Sequence, residues 1–124
     1  MKNLWKLSGL FLIITSILHN LVGFIMGWEV LKDIASEGFY NTVSGRHDRN
    51  AIFWFIFSGF TMMIIGKMMH DYIKTNNKPL PYYLGIYLLI LSITGCIIMP
   101  ISGFWLVLPQ ALIIILAARK SSAV

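Results

Sequence analysis

Four long apolar runs alternate with short polar stretches along this chain. The first extends from Leu7 to Trp28 and is interrupted only by a few small polar residues and by His19-Asn20. About 20 apolar residues in a helix cross a bilayer. The pattern therefore predicts spans over about 5–27, 50–70, 82–99 and 104–118. The expected fold is all-α: an integral membrane four-helix bundle, one domain over residues 1–124. Lys2 and Lys6 ahead of the first run look like the start of a signal peptide. That run is too long, however, and no small-x-small cleavage site follows. It reads as a retained span.

Helical spacing sorts each run into faces. In the first span, Ser8, Thr15/Ser16, His19, Gly23 and Gly27 share a side. Gly23-x-x-x-Gly27 lets another helix approach closely. In the second span the small or flexible face is Ala51, Phe55, Ser58/Gly59, Met62 and Gly66. In the third it is Gly85, Ser92 and Gly95/Cys96. Pro100–Gly103 makes a tight reversal, and Pro109 is expected to kink the fourth span.

The one substantial loop, 28–50, begins with a short amphipathic segment. Val30, Leu31, Ile34 and Ala35 fall on one side, with Glu29, Lys32, Asp33 and Glu37 mostly on the other. The segment ends at Gly38 and either lies on the membrane or packs on the bundle. Asp48 is placed to cap the second span. Arg46 and Arg49, three apart, could hold a phosphate headgroup; the favoured reading is a solvated loop end, or Arg49 paired with Glu29 or Asp33, as exposed pairs commonly are.

Composition agrees with the pattern. Hydrophobic residues make up 57% of the chain and charged ones 12%, about half the charged share of a soluble domain. The pI near 9.6 comes from basic residues scattered beside the spans. No basic stripe interleaved with aromatics exists, which argues against nucleic acid. Lys2, Lys6, Lys67, Lys74, Lys78, Arg119 and Lys120 fall on one side, against Lys32, Arg46 and Arg49 on the other. The positive-inside bias then puts both termini in the cytoplasm and the 28–50 loop outside. The localisation expected is the cell membrane. Cys96 is the single cysteine, so no intrachain disulfide forms, and it reads as a packing residue.

In that orientation His19, Ser58, Ser92 and Gln110 all lie roughly 10–12 Å below the outer helix ends at 1.5 Å per residue. One polar side chain per helix at a common depth reads as the floor of an outward-facing pocket. Met26, Trp54, Phe55, Met99 and Trp105 would wall it. Glu29 and the Arg46/His47/Arg49 cluster would line its mouth. The plainer reading makes the same residues interhelical hydrogen-bond glue.

Other chemistries find less support. The three histidines occupy unmatched positions for haem ligation, and no known metal-ligand spacing occurs. The expectation is no metal and no cofactor. Asp71, between Lys67 and Lys74, reads as a solvated helix end. No nucleophile elbow, phosphate loop or paired intramembrane carboxylates occur, so nothing argues for an enzyme.

Several stretches carry a resemblance. Ile17-Leu-His-Asn-Leu-Val-Gly23, Gly38-Phe-Tyr-Asn-Thr-Val43, Arg49 with Ala51-Ile-Phe-Trp-Phe55, and Met99-Pro-Ile-Ser-Gly-Phe-Trp-Leu-Val-Leu-Pro109 resemble a family of short bacterial four-span membrane proteins, catalogued as a domain of unknown function. The closing Pro-x-Ser-Gly-Phe-Trp-Leu element is the most specific part. The resemblance implies a four-helix fold and marks His19, Asn41, Arg49, Trp54 and the Pro100–Trp105 turn as family features. It supplies no activity.

The function expected is binding or carrying of a small lipophilic or amphiphilic molecule in that pocket. The competing class is a structural or accessory membrane subunit working through helix–helix contacts, without a ligand site. A membrane enzyme with His19 as acid/base ranks last. The partners expected are the lipid bilayer, a lipophilic small molecule, and a homodimer or another membrane protein through the glycine faces of the first and third spans.

Overall fold

The computed structural model describes residues 3–122; Lys2 of the charge count lies outside them. A 3-10 turn, Leu4–Leu7, leads into α1 (Ser8–Met26). Then follow α2 (Trp28–Ser36), α3 (His47–Asn76), α4 (Tyr82–Ile98) and α5 (Phe104–Ser122), with no strand among the described residues. Leu4–Met26, His47–Asn76 and Phe104–Ser122 are long and apolar enough to cross a membrane, and Tyr82–Ile98 is a shorter apolar helix.

The ends of these helices follow local chemistry. α3 runs for 30 residues, well beyond the expected 50–70, because helix-tolerant polar residues prolong it at both ends. It stops at Asn77, whose φ of 47° is the left-handed C-terminal conformation, just before Pro79 and Pro81. α4 ends as Met99 precedes Pro100, where helical backbone is disfavoured. Asp48 does not cap α3. The helix already begins at His47, and its N-cap, Arg46, makes no side-chain cap bond. α5 continues through Pro109 as one helix.

The helices form a row rather than a ring. α3 lies against α1, α1 against α5, and α5 against α4. Among the described residues no Cα of α3 comes within 8 Å of α4 or α5. One end of the row is tied by a buried cluster of Leu12, Met69, Ile73, Leu80 and Ile114, with Trp5, Leu84 and Leu88 packed onto it. The turn between α3 and α4 supplies Leu80 to this cluster, which ties the two outer helices at that end although their backbones stay apart.

Small residues set the α1–α3 contact. On α1 and its C-cap, Ile13, Asn20 and Gly27 recur every seven residues, and on α3, Ile52, Gly59, Gly66 and Ile73 do the same. A seven-residue repeat keeps one seam facing the partner. A methyl added at Gly27 would meet the Ile52 side chain at 2.6 Å, and one at Gly66 the Ile13 backbone at 2.9 Å. This seam lies slightly around the helix from the expected face: Gly59 and Gly66 belong to it, whereas Ala51 and Ser58 are exposed. The α4–α5 contact works likewise, with Gly85 against Ile114 and Ile115 and Gly95 under the Phe104 ring. The glycines of α1 and α4 are therefore used inside the chain, and they do not offer the open dimer faces expected of them. Cys96 is buried packing, as read from the sequence.

Candidate functional site

Partway along α1, eight residues before Gly27, His19 turns its ring toward α3. Its Nε2 lies 2.9 Å from the Phe55 carbonyl oxygen and 3.2 Å from Ser58 Oγ. Ser58 donates its hydroxyl to the same carbonyl at 2.7 Å. The Phe55 ring stacks on the imidazole at 3.9 Å between centroids and 10° between planes. The Cδ2 edge of the imidazole faces Gly59, where a side chain would collide with it at 2.9 Å. Ser58 is exposed and His19 half-buried. The pair forms a polar notch on the flank of the α1–α3 pair. Trp54, one turn from Ser58, is exposed beside Phe53 and Phe57.

Asn20, beside His19, is 6% exposed, and neither polar atom of its side chain has a partner. Its amide presses on Gly59, where the absent side chain leaves room for it. Enclosed amide groups without partners are costly. This makes Asn20 a feature that apolar periodicity alone does not flag.

The other two members of the expected layer lie elsewhere. Gln110, on α5, donates to Thr15 Oγ1 on α1 at 2.8 Å and to the Leu106 carbonyl at 2.9 Å. Thr15 passes its own proton to the Phe11 carbonyl. Ser92 is fully buried on α4 and donates to the Leu89 carbonyl of its own helix at 3.0 Å. The four residues thus divide among three separate contacts, because the row leaves no common interior for them to face. Interhelical bonds of the Gln110–Thr15 kind contribute about 1 kcal/mol. Gln110→Leu also removes an enclosed, unmatched Oε1. It is expected to lower stability in detergent by about 1 kcal/mol at most, read from chemical unfolding beside Thr15→Val.

The loop between α2 and α3 holds the tightest polar arrangement. Arg49, in the first turn of α3, has a side chain only 3% exposed. It forks onto Glu37, with Nη1 to Oε2 at 2.8 Å and Nη2 to Oε1 at 2.7 Å, and Nη1 also donates to the Thr42 carbonyl at 2.9 Å. Its partner is therefore Glu37, not Glu29 or Asp33. Glu29 instead meets Lys32 in an exposed pair at 2.7 Å, three residues apart on α2. Glu37 and Thr42 bracket a turn in which Gly38, Phe39 and Asn41 have φ of 88°, 67° and 54°. A positive φ is unremarkable for Gly and tolerated by Asn, but it strains a bulky residue such as Phe39. By gripping both ends of the turn, Arg49 holds that strained backbone. Phe39 and Tyr40 project outward, 70% and 93% exposed. The Arg49 guanidinium also holds the Glu37 carboxyl below its ordinary range, against an opposing effect of burial. α2 packs on α1 and α3, with Ile34 buried and Glu29, Lys32 and Asp33 outward.

The expected pocket walls do not converge. Met26, Trp54 and Trp105 are exposed on different helices. Trp105 donates its indole N–H to the Pro100 carbonyl at 2.8 Å, closing the α4–α5 reversal. Met99 lines an open apolar groove of about 580 Å³ that runs from Tyr87 to Phe104. A second groove, of about 620 Å³, lies at the other end near Trp5 and Lys120. Neither touches His19, Ser58, Ser92 or Gln110. Glu37, Thr42 and Thr15 were missed as partners. No spacing rule joins Glu37 to a residue twelve positions later; only the loop's path does.

A family model described as a family of unknown function (DUF6463) matches residues 3–121. No curated protein and no solved structure matches the chain.

Proposed function

The chain belongs to DUF6463, a family of unknown function, and we propose that it is a four-span integral membrane protein binding or carrying a small lipophilic or amphiphilic molecule at the His19 notch. Both chain ends are on the cytoplasmic side in this reading, which the Lys/Arg imbalance supports. The carrying observation is the notch itself. An imidazole and a hydroxyl, joined through the Phe55 carbonyl, reach the outer surface of two apolar helices. Hydrocarbon offers no partner there, and an ionisable group at membrane depth marks a functional position by default. The site is thus the flank of one helix pair, with Trp54 beside it, rather than the floor of a bundle. Ser92 and Gln110 serve packing, and Arg49 with Glu37 shapes the outer turn.

A second reading, an accessory subunit working through helix contacts, draws on the Gln110–Thr15 bond and on the glycine seams, which show polar and small residues already serving as glue. Native mass spectrometry of gently extracted protein, wild type beside His19→Ala, separates the two. A discrete non-detergent adduct on wild type alone is the expected result. Bare masses for both, with His19→Ala melting lower, would sink the ligand reading and leave the accessory role.

A further inference from the structure

We infer that the molecule held at His19 is a hydrogen-bond donor, a lipophilic alcohol or similar hydroxyl-bearing amphiphile. This rests on the ligand reading above and adds its chemical class. A backbone carbonyl only accepts, so the His19 nitrogen 2.9 Å from the Phe55 oxygen carries the proton. Ser58 gives its single proton to that same oxygen and can offer Nε2–H only a lone pair at 3.2 Å. Both donors of the notch are therefore spent on one carbonyl. In the neutral imidazole with Nε2–H, the other nitrogen, Nδ1, is a bare acceptor.

The ring's position decides where that acceptor points. Its Cδ2–Nε2 edge is turned to Gly59 and Phe55 on α3, so Nδ1 lies on the opposite edge. Nδ1 has no partner among the described residues and is not one of the enclosed unpaired atoms, unlike the amide of Asn20. The Phe55 ring closes one face of the imidazole, and the surrounding helix surface is apolar. The His19–Ser58 pair thus offers a lone pair and no free donor of its own. It matches an O–H or N–H on a greasy molecule. Ketones, esters and ethers, whose oxygens only accept, find nothing to bond on His19 or Ser58.

The test titrates wild-type protein in detergent with farnesol and 1-dodecanol, each beside its methyl ether. Binding is followed by native mass spectrometry and by nitrogen NMR of histidine-labelled protein, with His19 assigned through His19→Phe. One hydrogen bond of about 1.4 kcal/mol is a tenfold change in affinity, so the alcohols are expected to bind about tenfold more tightly than the ethers. The acceptor-type Nδ1 signal should move only with the alcohols, and His19→Phe should erase the preference. Equal binding of alcohol and ether, lost in His19→Phe, overturns the donor inference but keeps the ligand reading. A free-protein spectrum placing the proton on Nδ1 overturns the inference directly. Absence of binding by all four probes overturns both.

Discussion

Gly9→Leu is expected to abolish the folded protein, and Gly9→Ala to lower its stability severely. A Cβ at Gly9 would lie 2.6 Å from the His70 Cα and 2.7 Å from the Gly66 carbonyl oxygen, and closer still to the His70 nitrogen. All three atoms belong to the α3 backbone, so no side chain can swing aside; the two helices must move apart. Replacing a helical glycine with alanine normally gains about 1 kcal/mol. Overpacking costs about 1–3 kcal/mol even where side chains can adjust, so the collision outweighs the gain. Gly103 is the control: nothing lies within 4 Å of a methyl placed there. Gly103→Ala should stay within about 0.5 kcal/mol of wild type. Thermal unfolding and size-exclusion profiles in detergent check both. A Gly9→Ala protein as stable as Gly103→Ala would mean that α1 and α3 do not pack through this glycine.

The second large effect is expected at the loop between α2 and α3. Glu37→Ala leaves the Arg49 guanidinium, 3% exposed, with only the Thr42 carbonyl. Burying an unpaired charge is among the costliest single changes. The melting temperature should fall by several degrees, whereas Glu29→Ala should barely move it, since Glu29 is 81% exposed in its pair with Lys32. Arg49→Lys should resemble Glu37→Ala, because an ammonium cannot fork onto a carboxylate and also reach the Thr42 carbonyl.

The same pair sets a pH dependence. The Arg49 hydrogen bond holds the folded-state Glu37 carboxyl below its ordinary value of 4.5. Folding therefore favours the ionised form. The stabilisation is complete above about 4.5 and is lost as pH falls through the lower folded value. Wild type should lose melting temperature on acidification more steeply than Glu37→Ala. Parallel acid limbs for the two would remove the pair from the account.

Much of this was legible in the chain, and for a plain reason. Apolar runs of spanning length mark the helices whatever they pack against, so the four long elements and the amphipathic segment Trp28–Ser36 fall where periodicity put them. Gly23 and Gly27 announced a close helix contact, and α3 fills it. The ends of α3 were less legible, because polar residues that tolerate helix do not say where a helix leaves the apolar region.

Partners were the part that sequence withheld. Counting 1.5 Å per residue along each run places His19, Ser58, Ser92 and Gln110 at one depth. Whether they meet depends on the angular position of each helix and on which helices are neighbours. The row α3, α1, α5, α4 sends His19 to Phe55 and Ser58, Gln110 to Thr15, and Ser92 back onto its own helix. Likewise the sequence offered Arg49 several carboxylates, and the positive-φ turn at Gly38–Asn41 chose Glu37. Hydrophobic length, a local property, determined the helices; contacts between distant residues required the tertiary structure, because they depend on how helices rotate and loops turn.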